Sequence, residues 1–270
     1  DLLLSRPVPY STGYTSVMDN IGSVQNKGLD IMVNSVNVNS KDFSWSSTLN
    51  MNYNRNKVLK LGENDEDILS NGFLNGYAIL RVGESLSSFY GYERLGVYTT
   101  QDYDSGLCEM KQIGRAKRST DKKILGKGLP DWTGSFINEF RYKNIDLTVD
   151  LQFVMGVESM QQYYHSTYDR FGITNGLSNV LYDAYDGTNP ETMQQAIYLC
   201  NSGHAGQDTK SDSQWVTDGS YLRANLIQLG YTFAPSACKT LGVSNLRLYA
   251  SVNNAFLLCS SDFTGYDPEG

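Results

Sequence analysis

The amino-acid sequence predicts an all-β chain, an antiparallel segment of a transmembrane β-barrel. Three observations lead to this fold class: long stretches of alternating apolar and polar residues, tight turns that alternate with very long connections, and a composition that suits strands. Among the 270 residues, Tyr (19) and Gly (25) are abundant and Pro (6) is scarce. Aromatic residues favour strands, and glycine suits the turns between them.

The alternation is clearest in residues 43–54. Large apolar residues occupy odd positions there, namely Phe43, Trp45, Leu49, Met51 and Tyr53. The even positions are polar throughout, and Ser47 is the one lapse on the apolar side. Only an extended strand sends odd and even side chains to opposite faces. This strand of twelve residues is longer than the usual strand of about five or six residues, and its length matches that of a strand that crosses a bilayer at a tilt.

The same alternation recurs in residues 145–155, 228–233 and 245–253, and in residues 134–142 with Ile137 and Asn138 as exceptions. A helix would scatter these apolar residues around its circumference. Polar faces of such strands line the interior of a membrane barrel. We therefore predict five charged residues that face the lumen, which are Glu139, Arg141, Asp146, Asp150 and Arg247.

Residues 29–38 also alternate, but the apolar positions change from odd to even. Leu29, Ile31 and Val33 are followed by Val36 and Val38. One extra residue in a strand shifts the side chains after it to the other face. We therefore expect a β-bulge near Ser35.

The connections between these strands fall into two lengths. Residues 39–42 and 143–144 form tight hairpins, and residues 234–243 are a moderately short connection. Residues 55–131 and 156–213 are far longer than the loops of compact domains. Outer-membrane barrels have short periplasmic turns and long extracellular loops, so the alternation of lengths favours a barrel. The alternative is a soluble β-sandwich, whose half-buried strands alternate as well.

Composition excludes several other classes. No apolar run of eighteen residues occurs, so a membrane-spanning helix is excluded. The net charge is −7, and no cluster of basic and aromatic residues predicts nucleic-acid binding. We interpret the basic residues between Lys111 and Lys123 as a solvated loop. The four cysteines form no CxxC pair, so we expect no metal site or cofactor.

Enzyme motifs are also missing from the sequence. His165 and His204 lie in the second long connection without the spacing of a catalytic triad. Asp146 and Asp150 are roughly 13 Å apart along an extended strand, which is too far for glycoside hydrolysis. We therefore expect no catalytic residue.

Several motifs, in a constant order along most of the chain, resemble one family. They are SRPVP (residues 5–9), GSVQNKGLD (22–30), VGESLSSFYGY (82–92), GLPDWTG (128–134), DGSYLR (218–223), LGYTF (229–233), SNLRLY (244–249) and TGYDPE (264–269). Together they resemble the barrel of SusC/RagA-type TonB-dependent transporters of Bacteroidetes. The family often has a calcium-like loop before GLPDWTG, but residues 108–121 lack one, so no metal site is carried over.

The resemblance implies a location in the outer membrane and active import of a nutrient, an oligosaccharide or a peptide. It also implies a SusD-like surface lipoprotein as partner, and a TonB complex that acts through an N-terminal region. Residues 1–270 would then be a partial C-terminal barrel domain, with the plug domain, the export signal and the final strand outside the chain. A passive porin and a soluble extracellular β-rich binding domain are the alternatives.

Aromatic residues in the second long connection are candidates for substrate contact. They are Tyr163, Tyr164, Tyr168, Tyr182 and Tyr185. Tyrosine rings stack on sugars and pack against peptides. The same residues could instead form the packing of the loop itself or contact the lipoprotein.

Overall fold

The computed structural model describes residues 2–7, 10–62, 64–69, 77–164, 167, 175–200, 210, 212–263 and 265–269. Most of these residues form strands or the turns between them. The strands are β1 (Leu2–Pro7), β2 (Ser16–Asn39), β3 (Phe43–Leu61), β4 (Ile68–Leu69), β5 (Ala78–Leu80), β6 (Ser88–Gly91), β7 (Arg94–Val97), β8 (Ala116–Arg118), β9 (Lys123–Lys127), β10 (Trp132–Tyr142), β11 (Ile145–Met155), β12 (Glu158–Met160), β13 (Val216–Asp218), β14 (Tyr221–Thr232), β15 (Arg247–Asn253) and β16 (Leu257–Cys259). Short helices are α1 (Thr100–Asp104), α2 (Ser178–Asp183), α3 (Ile197–Cys200) and α4 (Pro235–Thr240).

The chain divides into two compact units. The first, which we call the loop unit, comprises Asp1–Gln25, Asn56–Leu129 and Glu158–Thr217. The second, which we call the wall unit, comprises Asn26–Arg55, Pro130–Val157 and Asp218–Gly270. Among the described residues, no helix is long and apolar enough to cross a membrane.

Most of the wall unit belongs to one large sheet, of which β1 and parts of β2 and β3 are counted in the loop unit. The strand order of this sheet is β1-β2-β3-β10-β11-β14-β15, with β16 also paired to β14. Strand β10 pairs antiparallel with both β3 and β11, and β14 pairs antiparallel with β11 and β15. The predicted strand of residues 145–155 is observed with the same bounds, and the strand predicted over residues 43–54 continues to Leu61. The prediction of an antiparallel all-β chain is therefore confirmed.

Strand register gives the sheet one apolar face and one polar face. On the apolar face, Phe140 lies opposite both Trp45 and Leu147, and Leu147 lies opposite Leu229. This apolar face is exposed: Leu229 is 54% accessible and Leu248 is 60% accessible. On the polar face, Glu139 lies opposite Ser46 and Thr148, and Thr148 opposite Gln228. Period two in the sequence has produced the two faces.

The predicted bulge near Ser35 is wrong. Asn34 accepts a hydrogen bond from Thr48 at 2.9 Å, and Asn37 donates one to Ser47 at 2.7 Å. Since Thr48 and Ser47 are consecutive strand residues, their side chains lie on opposite faces, so Asn34 and Asn37 do too. A bulge between them would have placed both on one face. Val36 therefore lies on the polar face with Asn34, although it is apolar.

Tight turns join the strands of the wall unit as predicted. At the β2–β3 turn, the Ser40 backbone N–H donates to the Phe43 carbonyl at 2.8 Å. At the β10–β11 turn, Lys143 adopts a positive φ of 51°, which a two-residue hairpin turn of this kind requires. The moderately short connection after β14 contains α4, which the sequence pattern did not predict.

The loop unit contains short strands, short helices and two small cores. Its small sheets are β4-β5-β6-β9, β7-β8 and β12-β13. One core consists of Tyr164, Val180 and Trp215, and the other of Val97, Tyr185, Ala196 and Leu199. These long connections are thus packed segments with buried side chains of their own.

Candidate functional site

A polar groove lies on the polar face of the wall unit, close to the tight turns. It has a volume of about 440 Å³ and brings together four of the five residues predicted to face a lumen, which are Glu139, Arg141, Asp146 and Arg247. The fifth, Asp150, accepts a hydrogen bond from Asn225 at 2.9 Å and does not line this groove. Because β3, β10, β11, β14 and β15 are neighbours, residues distant in sequence meet here.

An ion pair connects two strands across a third in this groove. Arg247 on β15 contacts Asp146 on β11 through Nη2 to Oδ2 at 2.5 Å and Nε to Oδ1 at 3.3 Å. Gly230 lies between them, opposite Asp146, and a Cβ added there would lie 2.6 Å from both Arg247 Nη2 and Asp146 Oδ2. The missing side chain at Gly230 therefore leaves the space in which the pair forms. Both side chains are partly exposed, so the pair contributes little to stability, about 0–1 kcal/mol.

The tyrosine candidates lie in different environments within the loop unit. Tyr164 and Tyr185 are core residues, 4% and 9% accessible. Tyr163 packs edge-on against Tyr164, with ring centroids 4.7 Å apart, and the Tyr185 hydroxyl accepts a hydrogen bond from the Thr100 backbone N–H at 3.2 Å. These three residues therefore pack the loop unit, the alternative role considered for them. Tyr182 differs from these residues because its side chain is exposed, with 83% of it accessible. Tyr168 lies outside the described residues.

Tyr182 borders a second groove, of about 540 Å³, within the loop unit. We call it the Tyr182 groove, and its other lining residues include Asp183, Asn189, Glu191, Thr192 and Gln214. Sequence reasoning identified Tyr182 but none of these neighbours. Asp183 follows Tyr182 directly and could have been noticed, whereas Gln214 is thirty-two residues away and no spacing in the sequence indicates its position.

The loop unit also contains a buried ion cluster that the sequence pattern did not predict. The Asp212 side chain is fully buried and accepts hydrogen bonds from Arg94 Nε at 2.7 Å and Arg118 Nε at 2.6 Å. Its other oxygen accepts from the Gln214 backbone N–H at 3.0 Å. The interpretation of residues 111–123 as a solvated loop is therefore wrong for Arg118, whose side chain is only 10% accessible.

The exposed apolar face, the polar opposite face and the tight turns define the class of protein: a segment of an antiparallel β-barrel wall. No protein-family model matches the sequence. Curated relatives match the sequence along its whole length. TonB-dependent receptors P3 and P26 of Formosa agariphila are both 33% identical to it, and TonB-dependent receptor SusC of Bacteroides thetaiotaomicron is 29% identical. The chain is thus homologous to a segment of SusC-like TonB-dependent receptors, as its motifs predicted.

The chain spans 27%, 28% and 26% of the lengths of these three relatives. Solved structures agree on the fold. A structure of the RagAB peptide transporter superposes with a TM-score of 0.77 at 21% identity, covering 99% of this chain and 29% of that one. A structure of the RagAB peptide importer in the closed-closed state gives a TM-score of 0.76 at 22% identity. This structural similarity confirms the barrel-segment fold that the strand pattern predicted.

Proposed function

We propose that this chain forms part of the barrel wall and the external loops of an active nutrient importer in the outer membrane. The importer takes up an oligosaccharide or a peptide. It works with a SusD-like surface lipoprotein and draws energy from a TonB complex, which acts on a part of the protein outside this chain. Homology to TonB-dependent receptors along the whole chain supports this proposal.

One observation carries the proposal: the apolar face of the sheet is exposed while its opposite face is polar. Large side chains such as Leu29 (57%), Leu229 (54%) and Leu248 (60%) are accessible on three different strands. An exposed apolar surface of this extent indicates contact with a membrane or another protein. Hydrocarbon would cover it in a bilayer, whereas a soluble binding domain would leave it in water.

The roles of the wall residues follow from this arrangement. Glu139, Arg141, Asp146 and Arg247 face a water-filled interior, where charged side chains remain hydrated. The pair between Asp146 and Arg247 connects β11 to β15 and limits their separation. Nothing in this arrangement requires a covalent step: cargo passes the polar face, and bonds are neither made nor broken.

The experiment uses the full-length protein in its native outer membrane. We expect it to migrate differently on gels before and after boiling, as folded membrane barrels do, and to be required for uptake of its nutrient. Deleting TonB should abolish that uptake while the protein stays folded in the membrane. Uptake that continues without TonB would identify a passive porin. Recovery of the protein in the soluble fraction would identify a soluble binding domain.

A further inference from the structure

We propose that Arg223 and Tyr221 form a binding site for a carboxylate group of the cargo, and that the protein's own residues 265–269 occupy this site as an autoinhibitory strap. This inference rests on the proposed import function and assigns a chemical class to the cargo. It is carried by the position of Arg223 on the polar face, by the contacts that two carboxylates of the strap make there, and by the way in which the strap is attached to β14.

Arg223 and Tyr221 lie on the polar face of the sheet, at the end of β14 away from the tight turns. Arg223 is opposite Gln152, and Tyr221 is opposite Val154. Gln152 belongs to the polar face, where it lies opposite Ser135. Directly opposite residues share a face of a sheet, and so do residues two positions apart along a strand. Under the proposed function, this face lines the passage of the cargo.

The site already holds carboxylates. Glu269 accepts a hydrogen bond from the Tyr221 hydroxyl through Oε1 and contacts Arg223 Nη2 through Oε2 at 3.2 Å. Asp267 Oδ1 accepts a hydrogen bond from the same Nη2 at 2.7 Å. The Arg223 side chain is only 9% accessible, and its guanidinium lies 5.5 Å from the centre of the Tyr221 ring. A guanidinium and a hydroxyl are thus arranged around a single carboxylate, that of Glu269.

The strap leaves part of the guanidinium unused. Arg223 Nε is buried and has no hydrogen-bond partner among the described residues, because both strap carboxylates contact Nη2. Once the strap leaves, a carboxylate of the cargo can bind Nε and Nη2 side by side. This two-point geometry gives the strong guanidinium–carboxylate pairs. The cargo would therefore form one more hydrogen bond with Arg223 than either strap carboxylate does.

The strap and the segment before it are attached to β14 in different ways. Strand β16 pairs with residues 221–223 through its backbone. The strap contacts β14 through the side chains of Asp267 and Glu269, which are 39% and 45% accessible. Ion pairs of such exposed carboxylates stabilise little and are screened by dissolved ions. Residues 265–269 can thus leave Arg223 while β16 stays paired.

The test measures binding to the full-length protein in detergent micelles by titration calorimetry. The probes are acetyl-hexaalanine with a carboxyl terminus, the same peptide with a C-terminal amide, trigalacturonate and neutral maltotriose. The strap variant, Asp267→Asn/Glu269→Gln, removes both internal carboxylates. The control variant, Asp42→Asn/Asp262→Asn, removes two exposed carboxylates elsewhere in the wall unit and so changes the net charge equally.

We expect the strap variant to bind a carboxylate probe about tenfold more tightly than the unmodified protein does, because an intramolecular competitor has been removed. The amide and maltotriose should bind equally to both, and the control variant should behave like the unmodified protein. Adding Arg223→Gln to the strap variant should abolish the gain, and adding Tyr221→Phe should reduce it about two- to fivefold.

The two acids distinguish the sources of the carboxylate. A gain with the peptide acid assigns the site to peptide carboxylates, a gain with trigalacturonate assigns it to acidic sugars, and a gain with both assigns it to either. No gain with either acid, or a gain that persists after Arg223→Gln, would overturn the inference.

Hydrogen exchange tests the displacement of the strap in the unmodified protein. Saturating peptide acid or trigalacturonate should speed the exchange of residues 265–269, whereas the amide should leave it unchanged. Exchange in β10 and β11 should be equal in all variants, which shows that the wall stays folded. If neither acid changed the exchange of residues 265–269, the strap would not be displaced and the inference would fail. TonB-dependent uptake in the same strain distinguishes this failure from failure of the importer function.

Discussion

Asn138 accepts a hydrogen bond from the Ser47 hydroxyl at 2.8 Å on the otherwise apolar face of the wall unit. The same Oδ1 accepts from the Trp45 indole N–H at 3.1 Å. Ser47 in turn accepts from Asn37 at 2.7 Å, and Asn37 accepts from Ser35 at 2.7 Å. A chain of polar side chains thus crosses β2, β3 and β10. Because these groups satisfy one another, they can lie against hydrocarbon at a low cost.

Replacing Asn138 with Leu should destabilise the full-length protein by about 1–2 kcal/mol, because Ser47 and Trp45 would lose their common acceptor. Ser47→Ala/Asn138→Leu should cost less than the sum of the single changes, since fewer polar groups are then left without partners. Urea unfolding in micelles, followed by circular dichroism, gives the coupling between the two positions. Strictly additive effects would show that the hydrogen bond has no energetic role.

The polar chain marks the limit of what the sequence could predict. Period two is a local property, so residues 43–54 and 145–155 were assigned correctly as strands from their own side chains. Ser47 and Asn138 looked like separate irregularities because their relation depends on register between β3 and β10, 91 residues apart. The bulge near Ser35 was predicted wrongly for the same reason. Ser35 and Asn37 interrupt the apolar positions of β2 because Ser35 bonds to Asn37, and Asn37 bonds to Ser47 on the next strand.

The two faces of the wall should respond differently to a charge. Leu151 lies on the apolar face, opposite Phe136, and Gln152 lies on the polar face, opposite Ser135. Leu151→Lys should cost about 2–4 kcal/mol if the apolar face contacts the bilayer interior, whereas Gln152→Lys should have little effect. The amount of heat-modifiable protein in outer-membrane fractions measures the difference. Equal yields of the two variants would contradict the assignment of the faces.

The ion cluster at Asp212 should be essential for the loop unit. One buried carboxylate contacts both Arg94 and Arg118, and Asp212→Asn would remove the negative charge from this cluster. Loss of one member of a buried ion cluster costs about 3–5 kcal/mol. We expect faster hydrogen exchange in residues 92–97, 116–118 and 212–216 of the full-length protein, with the wall strands unchanged.

The matched control for the Asp212→Asn variant is Asp104→Asn, which removes an exposed carboxylate from the same unit. Hydrogen exchange in that variant should equal that of the unmodified protein. If Asp212→Asn also left the exchange of these segments unchanged, the cluster would not hold the loop unit together. No local pattern in the sequence predicts this dependence, because Asp212 is 94 residues from Arg118 and 118 residues from Arg94.

Acid should loosen the start of α1 before it affects the wall. The backbone N–H of Thr99 donates to Asp102 Oδ2 at 2.9 Å, and Lys117 contacts Oδ1 at 3.0 Å, which together hold the pKa of Asp102 below its usual value of 3.8. A lowered pKa means that ionised Asp102 stabilises the folded cap; this contribution is complete above about pH 4 and is lost as pH falls through the lowered pKa.

Hydrogen exchange of residues 99–107, corrected for the intrinsic pH dependence of exchange, measures this loosening. Protection should fall below about pH 4 in the unmodified protein. In Asp102→Asn, protection should already be reduced at pH 7 and should not decrease further in acid, because the titrating group is gone. Thr99→Ala should reduce protection at pH 7 through loss of the capping hydroxyl, which accepts from the Asp102 backbone N–H at 3.1 Å, yet retain part of the acid response through Lys117. Identical acid profiles in the unmodified protein and Asp102→Asn would assign the titration to another group.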